Sequence, residues 1–226
     1  MGPITDDLTL AQAQNITVAN AVQGEYYRDH YRPMEEMYLP ELCAWFEERG
    51  PEPGVVVEVG PGHGSMIPWW GSRGWSVRVI DMMPRGHWIS EDFLAAWQAR
   101  YWERDVFAEV TSFVRGRADV VVMTQVIPHL RWRPDRALRN CAAMLREGGA
   151  VVTCVLDADR NPDAHPLWQD WRDMPEWGDG DENTQTVQCM FDEAAYRDLL
   201  ESVFADVTIW RTAQGGVLYA EARDPR

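Results

Sequence analysis

The chain has 226 residues, 46% of them hydrophobic and 25% charged, enough for one well-packed α/β domain and too few for two full-sized ones. Its 36 Asp+Glu against 21 Lys+Arg give a formal charge of −15, which excludes nucleic acid as the main partner because phosphates need a basic surface. All the cations are arginine, so Schiff-base and P-loop lysine chemistry are excluded as well.

No apolar run reaches membrane-spanning length, and the opening MGPITDDLTLAQAQ lacks the basic-then-apolar layout of a signal peptide. The reading is a cytoplasmic protein without a membrane partner. Cys43, Cys141, Cys154 and Cys189 form no CxxC pair and sit beside apolar residues, as buried reduced thiols do.

Along the chain, the first two dozen residues suggest a helix or an arm. The aromatic stretch GEYYRDHYRP follows, then an amphipathic helix over Met34–Arg49 that stops at Gly50-Pro51. From Gly54 short β-branched runs alternate with helical spans. Strands are predicted at 55–59 and 75–80, as a weaker extended piece before Asp105, at 118–124, and at 150–156 after the turn Glu147-Gly148-Gly149. Helices are predicted at 64–73, 90–99, 106–115 and 134–146. Continuous apolar strands separated by helices mean a parallel sheet covered on both faces. A helix near Asp192–Phe204 precedes strands at 205–211 and 216–223, which are too close for a parallel crossover and must form an antiparallel hairpin. Residues 157–188 form the one long irregular stretch.

The chemistry concentrates where strand 55–59 runs into Glu58-Val-Gly60-Pro-Gly62-His-Gly64-Ser65. Glycines let the backbone turn tightly and approach a ligand, and the following helix start presents unpaired N–H groups. Asp81 ends the next strand, placed to accept both hydroxyls of a ribose. By themselves these features describe either a nucleotide-type cofactor site or a plain strand–turn–helix joint.

The E-x-G-x-G-x-G spacing and the reversed last strand make the chain resemble the class I S-adenosylmethionine-dependent methyltransferases over roughly residues 25–226. The resemblance implies a Rossmann-like, doubly wound seven-stranded α/β sheet, mostly parallel with a reversed C-terminal strand. Residues 1–50 would be a helical segment covering the active site, 51–226 the cofactor-binding domain, and 157–190 a substrate-facing insertion. It implies S-adenosyl-L-methionine as cofactor, held by Glu58, Gly60, Gly62, His63 and Gly64. Asp81 and Met82 would meet ribose and adenine, and Asp105 and Val106 the adenine ring. Thr124 and Gln125, in ADVVVMTQVIPHL, would pass beside the reactive methyl group.

Methyl transfer needs alignment more than acid–base power, and a base only for a protonated nucleophile. His129 is the first candidate base, the alternative being a loop support. His165 is the second, the alternative being a solvated loop histidine. Trp168 and Trp171 form either an aromatic lid over the substrate or a buried face. Tyr26, Tyr27 and Tyr31 either cap the site, with Tyr27 and Tyr31 as substrate contacts, or join the core. Trp69, Trp70 and Trp75 read as core. No HxxxH or HxxE spacing occurs, and Thr124-Gln125 stand where a divalent-metal site would want an acid, so no metal is expected. The expected reaction is methylation of an O or N atom of a small molecule, perhaps as part of specialised metabolism. The competing readings are an inactive cofactor-binding partner protein and a nicotinamide-dependent oxidoreductase. The oligomeric state stays open, a homodimer being one option.

Overall fold

The computed structural model describes residues 7–108, 114–130, 133–160, 190–213 and 215–226. Seven strands form one sheet: β1 (Val55–Val59), β2 (Ser76–Asp81), β3 (Arg100–Glu103), β4 (Ala118–Thr124), β5 (Leu145–Leu156), β6 (Phe204–Arg211) and β7 (Val217–Pro225). Their order is β3-β2-β1-β4-β5-β7-β6, that of a doubly wound sheet. β7 runs antiparallel to both β5 and β6, so the reversed hairpin expected from the sequence is present. The chain groups into two compact units, Met1–Val106 and Phe107–Arg226.

In the first unit β1 pairs parallel with β2, and β2 with β3. Val56, Val57 and Val59 are wholly or nearly buried, as the valine-rich run predicts. Helix α1 (Leu10–Asn20) starts at a capping box in which Thr9 and Gln12 satisfy each other's backbone N–H groups. A short helix α2 (Gly24–Tyr26) passes into a π-helical turn, Tyr27–Tyr31, and then into α3 (Arg32–Glu48). Leu39, Leu42, Cys43 and Phe46 give α3 a buried stripe at helical spacing. The N-terminal segment is tied down at several points. The Leu8 carbonyl accepts from Arg73 at 2.8 Å, and Ala21 bridges to Ile89. Helices α4 (Met66–Ser72) and α5 (Glu91–Ala96) complete the unit. Trp69, Trp70 and Trp75 are core residues as expected, none more than 7% exposed.

In the second unit β4 and β5 run parallel. The register passes from Ala118↔Leu145 to Val120↔Ala150, so Arg146–Gly149 bulge out of β5. The Glu147-Gly148-Gly149 turn therefore lies inside one long strand instead of before it. Pro134 opens α6 (Pro134–Met144), where its missing N–H costs nothing. The Asp192 carboxylate caps α7 (Glu193–Glu201) through the Ala195 N–H at 2.7 Å. Of the helix expected over 106–115, residues 106–107 and 114–115 lie in turns, and 109–113 lie outside the described residues.

Candidate active site

The loop after β1 takes three left-handed steps, with φ of +66° at Gly60, +55° at Gly62 and +76° at Gly64, a region that side-chain-bearing residues enter at a cost. The reasons for glycine differ along the loop. A Cβ at Gly64 would lie 2.8 Å from Ile67 Cδ1 and 2.9 Å from Ile89 Cδ1, whereas one at Gly62 would meet nothing within 4 Å. Gly64 is needed for packing as well as conformation. Gly62 is needed for conformation, and it leaves open space beside the backbone.

Under this loop lies Glu58, 4% exposed. Its Oε2 has no hydrogen-bond partner among the described residues. Burial, followed by repulsion from Glu35 and Asp81, pushes its carboxyl up to about 8. Asp81 closes β2 and accepts the Met83 N–H at 2.9 Å. Burial raises its pKa, against the pull of the Met83 and Met82 N–H groups. Asp81 stands level with Glu103 in the ladder, and the Arg104 N–H meets the Asp81 carbonyl at 2.7 Å. Asp105, exposed, follows two residues beyond β3. Both acids therefore emerge at the carboxyl ends of neighbouring strands. Met82 is 60% exposed, and Val106 is buried.

The side chain between Gly62 and Gly64 is unusual in its surroundings. His63 is 2% exposed, and neither ring nitrogen has a hydrogen-bond partner among the described residues. Tyr27, Tyr31 and Trp88 surround it at centroid distances of 5.0, 4.8 and 4.9 Å. Burial pushes its pKa down to about 4, so the imidazole is neutral at physiological pH. Tyr27 and Tyr31 are the ends of the π-helical turn, a device that re-aims side chains and is frequent at functional sites. Tyr27 is wholly buried and donates to Glu35 Oε2 at 2.6 Å. Tyr31 is half-buried.

Glu35 and Trp88 are the residues around the loop that sequence reasoning missed. Glu35 occupies the stripe Glu35, Leu39, Leu42, Phe46 of α3, and an acid on the apolar face of a helix was a visible signal. Burial pushes its carboxyl up to about 7 against hydrogen bonds from Tyr27, Ser65 and Gln14. Trp88 carried no sequence signal.

The second unit holds the other expected contacts. Thr124 ends β4, and Gln125 takes a left-handed φ of +55°, a strained conformation for its type. Its N–H donates to the Cys154 carbonyl at 3.1 Å. His129 ends a 3₁₀ turn, Ile127–His129, and is half-buried. His165, Trp168 and Trp171 lie outside the described residues. Among the described residues no group of three His, Cys, Asp or Glu side chains could hold a metal ion.

The methyltransferase domain profile matches residues 29–203, most of the chain and the whole of the loop just described. The chain belongs to the methyltransferase domain family, and within it to the class I S-adenosylmethionine-dependent enzymes. Three solved structures illustrate the likeness. The 1,6-didemethyltoxoflavin-N1-methyltransferase of Burkholderia thailandensis, bound to 1,6-didemethyltoxoflavin and S-adenosylhomocysteine, is 16% identical, covers 96% of this chain and 92% of its own, and superposes with a TM-score of 0.60. The N-methyltransferase NodS of Bradyrhizobium japonicum WM9 is 18% identical over 86% of this chain and 98% of its own, with a TM-score of 0.55. The PH0226 protein of Pyrococcus horikoshii OT3 is 16% identical over 89% and 99%, with a TM-score of 0.59. At these identities the likeness is one of fold. A search of curated protein sequences finds no significant match.

The residues present fit this family's cofactor. An unpartnered buried carboxyl oxygen on Glu58 needs a donor, Gly62 leaves open backbone, Asp81 ends β2, and Asp105 follows the neighbouring β3.

Proposed function

We propose that this enzyme transfers a methyl group from S-adenosylmethionine to a nitrogen or oxygen atom of a small molecule. The observation that carries the reading is the buried, unpartnered Glu58 carboxyl beneath a glycine loop with open space at Gly62. In this reading Glu58 takes the amino end of the cofactor, and Gly60, Gly62, His63 and Gly64 line its path. Asp81 grips the ribose, Met82 lies on the adenine face, and Asp105 with Val106 reads the adenine edge. Thr124 and Gln125 as further cofactor contacts rest on the family resemblance, and His129 as proton acceptor rests on its place just after β4. His165 and the assignment of 157–190 to the substrate rest on the family resemblance, and Trp168 and Trp171 on the aromatic-rich segment that carries them.

When bound, the cofactor supplies an activated methyl group on a sulfonium. The protein's share is alignment, worth roughly 7–11 kcal/mol when the geometry is right, and exclusion of water. Tyr31 and Trp88, both half-buried beside His63, are suited to a flat or cationic acceptor. A small-molecule acceptor also agrees with the strongly negative chain, and with toxoflavin-precursor N-methylation by one protein of this fold. The N-terminal segment through residue 50 covers this site, and specialised metabolism in the cytoplasm is the proposed setting. No helix among the described residues is long and apolar enough to cross a membrane.

Thermal shift tests the reading. S-adenosylhomocysteine raises the melting temperature, NAD does not, and Asp81→Ala lowers cofactor affinity at least about tenfold while the protein stays folded. A response to NAD alone would overturn it. A methyl-transfer assay against a panel of aromatic amines and phenols then separates an active enzyme from an inactive cofactor-binding protein.

A further inference from the structure

We propose that Glu35 is a positioning residue which, like Glu58, stays protonated in the free protein, and that entry of the positively charged cofactor expels a proton from the two carboxyls to solvent. The site would thereby favour the sulfonium cofactor over its demethylated product. The inference rests on the reading of the glycine loop as the cofactor site.

The geometry begins with four elements meeting at one carboxyl. Glu35 on α3 is 6% exposed. It accepts the Tyr27 hydroxyl of the π-helical turn at 2.6 Å and the Gln14 amide of α1 at 3.5 Å. The Ser65 side chain, at the start of α4, also bonds to it. Glu58 on β1 feels its charge, and that of Asp81 on β2. His63, packed on Tyr27, contributes no charge at neutral pH.

The cation that acts on Glu35 is Arg32, and its guanidinium is engaged elsewhere, on Glu36 at 3.1 Å and Asn15 at 2.8 Å. No ion pair among the described residues joins Glu35 or Glu58 to an arginine. A buried carboxyl in a low-dielectric place without a compensating charge is kept neutral. Both carboxyls therefore keep their protons until a cation arrives. Both cofactor forms bring an ammonium, but only S-adenosylmethionine brings a sulfonium as well. Methyl transfer removes that second charge, the pair takes a proton back from solvent, and the product is held less tightly. The same proton exchange acts on a group that fastens α1, the π-helical turn and α3 to the glycine loop, so the charge at sulfur is felt by the N-terminal segment.

Calorimetric titration of the whole protein tests this, with S-adenosylmethionine and S-adenosylhomocysteine as probes at pH 6, 7, 8 and 9. Two buffers of different ionisation enthalpy give the protons released per ligand bound. The expected result is proton release near pH 7 that fades by pH 9 and is larger for S-adenosylmethionine. The affinity ratio of the two ligands should rise several-fold from pH 6 to 8. Glu35→Gln should remove most of the release, and Glu35→Asp should restore it. Tyr27→Phe, which removes a hydrogen bond to the charged form, should move the release to higher pH. Comparing variants on one ligand cancels the ligand's own titration. Binding of both ligands with the same pH profile and no buffer dependence would overturn the proposal while leaving the cofactor reading intact, as would unchanged release in Glu35→Gln. Failure of both ligands to bind at every pH would overturn the two together.

Discussion

At the end of β5, Asp157 is wholly buried, yet both its oxygens are engaged. Oδ1 accepts the Asp159 N–H at 3.0 Å, and Oδ2 accepts Arg211 Nε at 2.8 Å. The same arginine reaches Asp159 and Glu193, at 2.9 and 2.8 Å. Glu58 on β1 is buried almost as deeply and has no such cation, with one oxygen unpartnered among the described residues. A buried carboxylate with an arginine and a backbone donor holds a fold together. One without them destabilises the folded chain, and it is best understood through something the chain has yet to bind. The first arrangement joins β5, α7 and β6 within the second unit, and the second lines the loop of the first unit that has the open space. Burial alone does not separate the two roles. The partner does.

The largest effect should come from the engaged acid. Asp157→Ala removes the acceptor of a charged hydrogen bond and leaves the Asp159 N–H without its side-chain partner. Hydrogen bonds to charged groups are worth about 1.5–3 kcal/mol each. Urea unfolding should therefore show a loss of about 2–3 kcal/mol. A loss below about 0.5 kcal/mol would break the comparison at its stable end.

The next effect is a pH dependence that distinguishes the two arrangements without mutation. Glu35 and Glu58 titrate at about 7 and about 8 in the folded protein, against 4.5 for an ordinary glutamate. Between pH 4.5 and 8 the folded state binds more protons than the unfolded one, so stability falls as pH rises through this window. His63 acts in the opposite sense. Its folded value of about 4 lies below the ordinary 6.5, so its contribution is lost as pH falls from 6.5 towards 4. Two carboxyls outweigh one imidazole, and the ligand-free protein should lose on the order of 1 kcal/mol per pH unit in the middle of the window. Chemical unfolding at pH 5.5 and pH 8 measures it. Saturating S-adenosylmethionine should flatten the slope, because a bound cation favours the ionised carboxyls.

How much of this was legible in the sequence depends on whether a feature is local. β1 and β4 carry their own signal, since short runs rich in valine mark a buried strand, and the observed bounds 55–59 and 118–124 are the predicted ones. The hairpin of β6 and β7 was fixed by the short TAQGG connection. The bulge in β5 was missed because a glycine pair reads as a turn before a strand as readily as a bulge inside one. The glycine turn Glu58–Ser65 and the place of Asp81 at the end of β2 were legible because their spacing is itself the signal, whereas Asp105 was named only through the family resemblance. Glu35 was not read from its place on α3, because its partners come from residues 14, 27, 58 and 65, and only folding brings them to one point. Trp88 was invisible for the same reason. The π-helical turn also has no spacing signature, so Tyr27 and Tyr31 were named as aromatic candidates without the geometry that places both rings against His63.

The smallest expected effect is the most specific. Glu58→Gln keeps the shape of the side chain and removes a carboxyl that burial and two acidic neighbours already disfavour as an ion. At pH 8 the ligand-free variant should be as stable as the parent protein or more stable by up to about 1 kcal/mol, the opposite sign from Asp157→Ala. Its slope between pH 5.5 and 8 should be shallower, because one of the two proton-binding carboxyls is gone. S-adenosylhomocysteine should nevertheless bind it more weakly, since an amide meets an ammonium without the charge. A variant that lost stability and kept its full cofactor affinity would place Glu58 with Asp157 among the acids that serve the fold. Stability retained and affinity lost would mark the bare carboxyl under the glycine loop as one whose cost to folding is offset only when the cofactor binds.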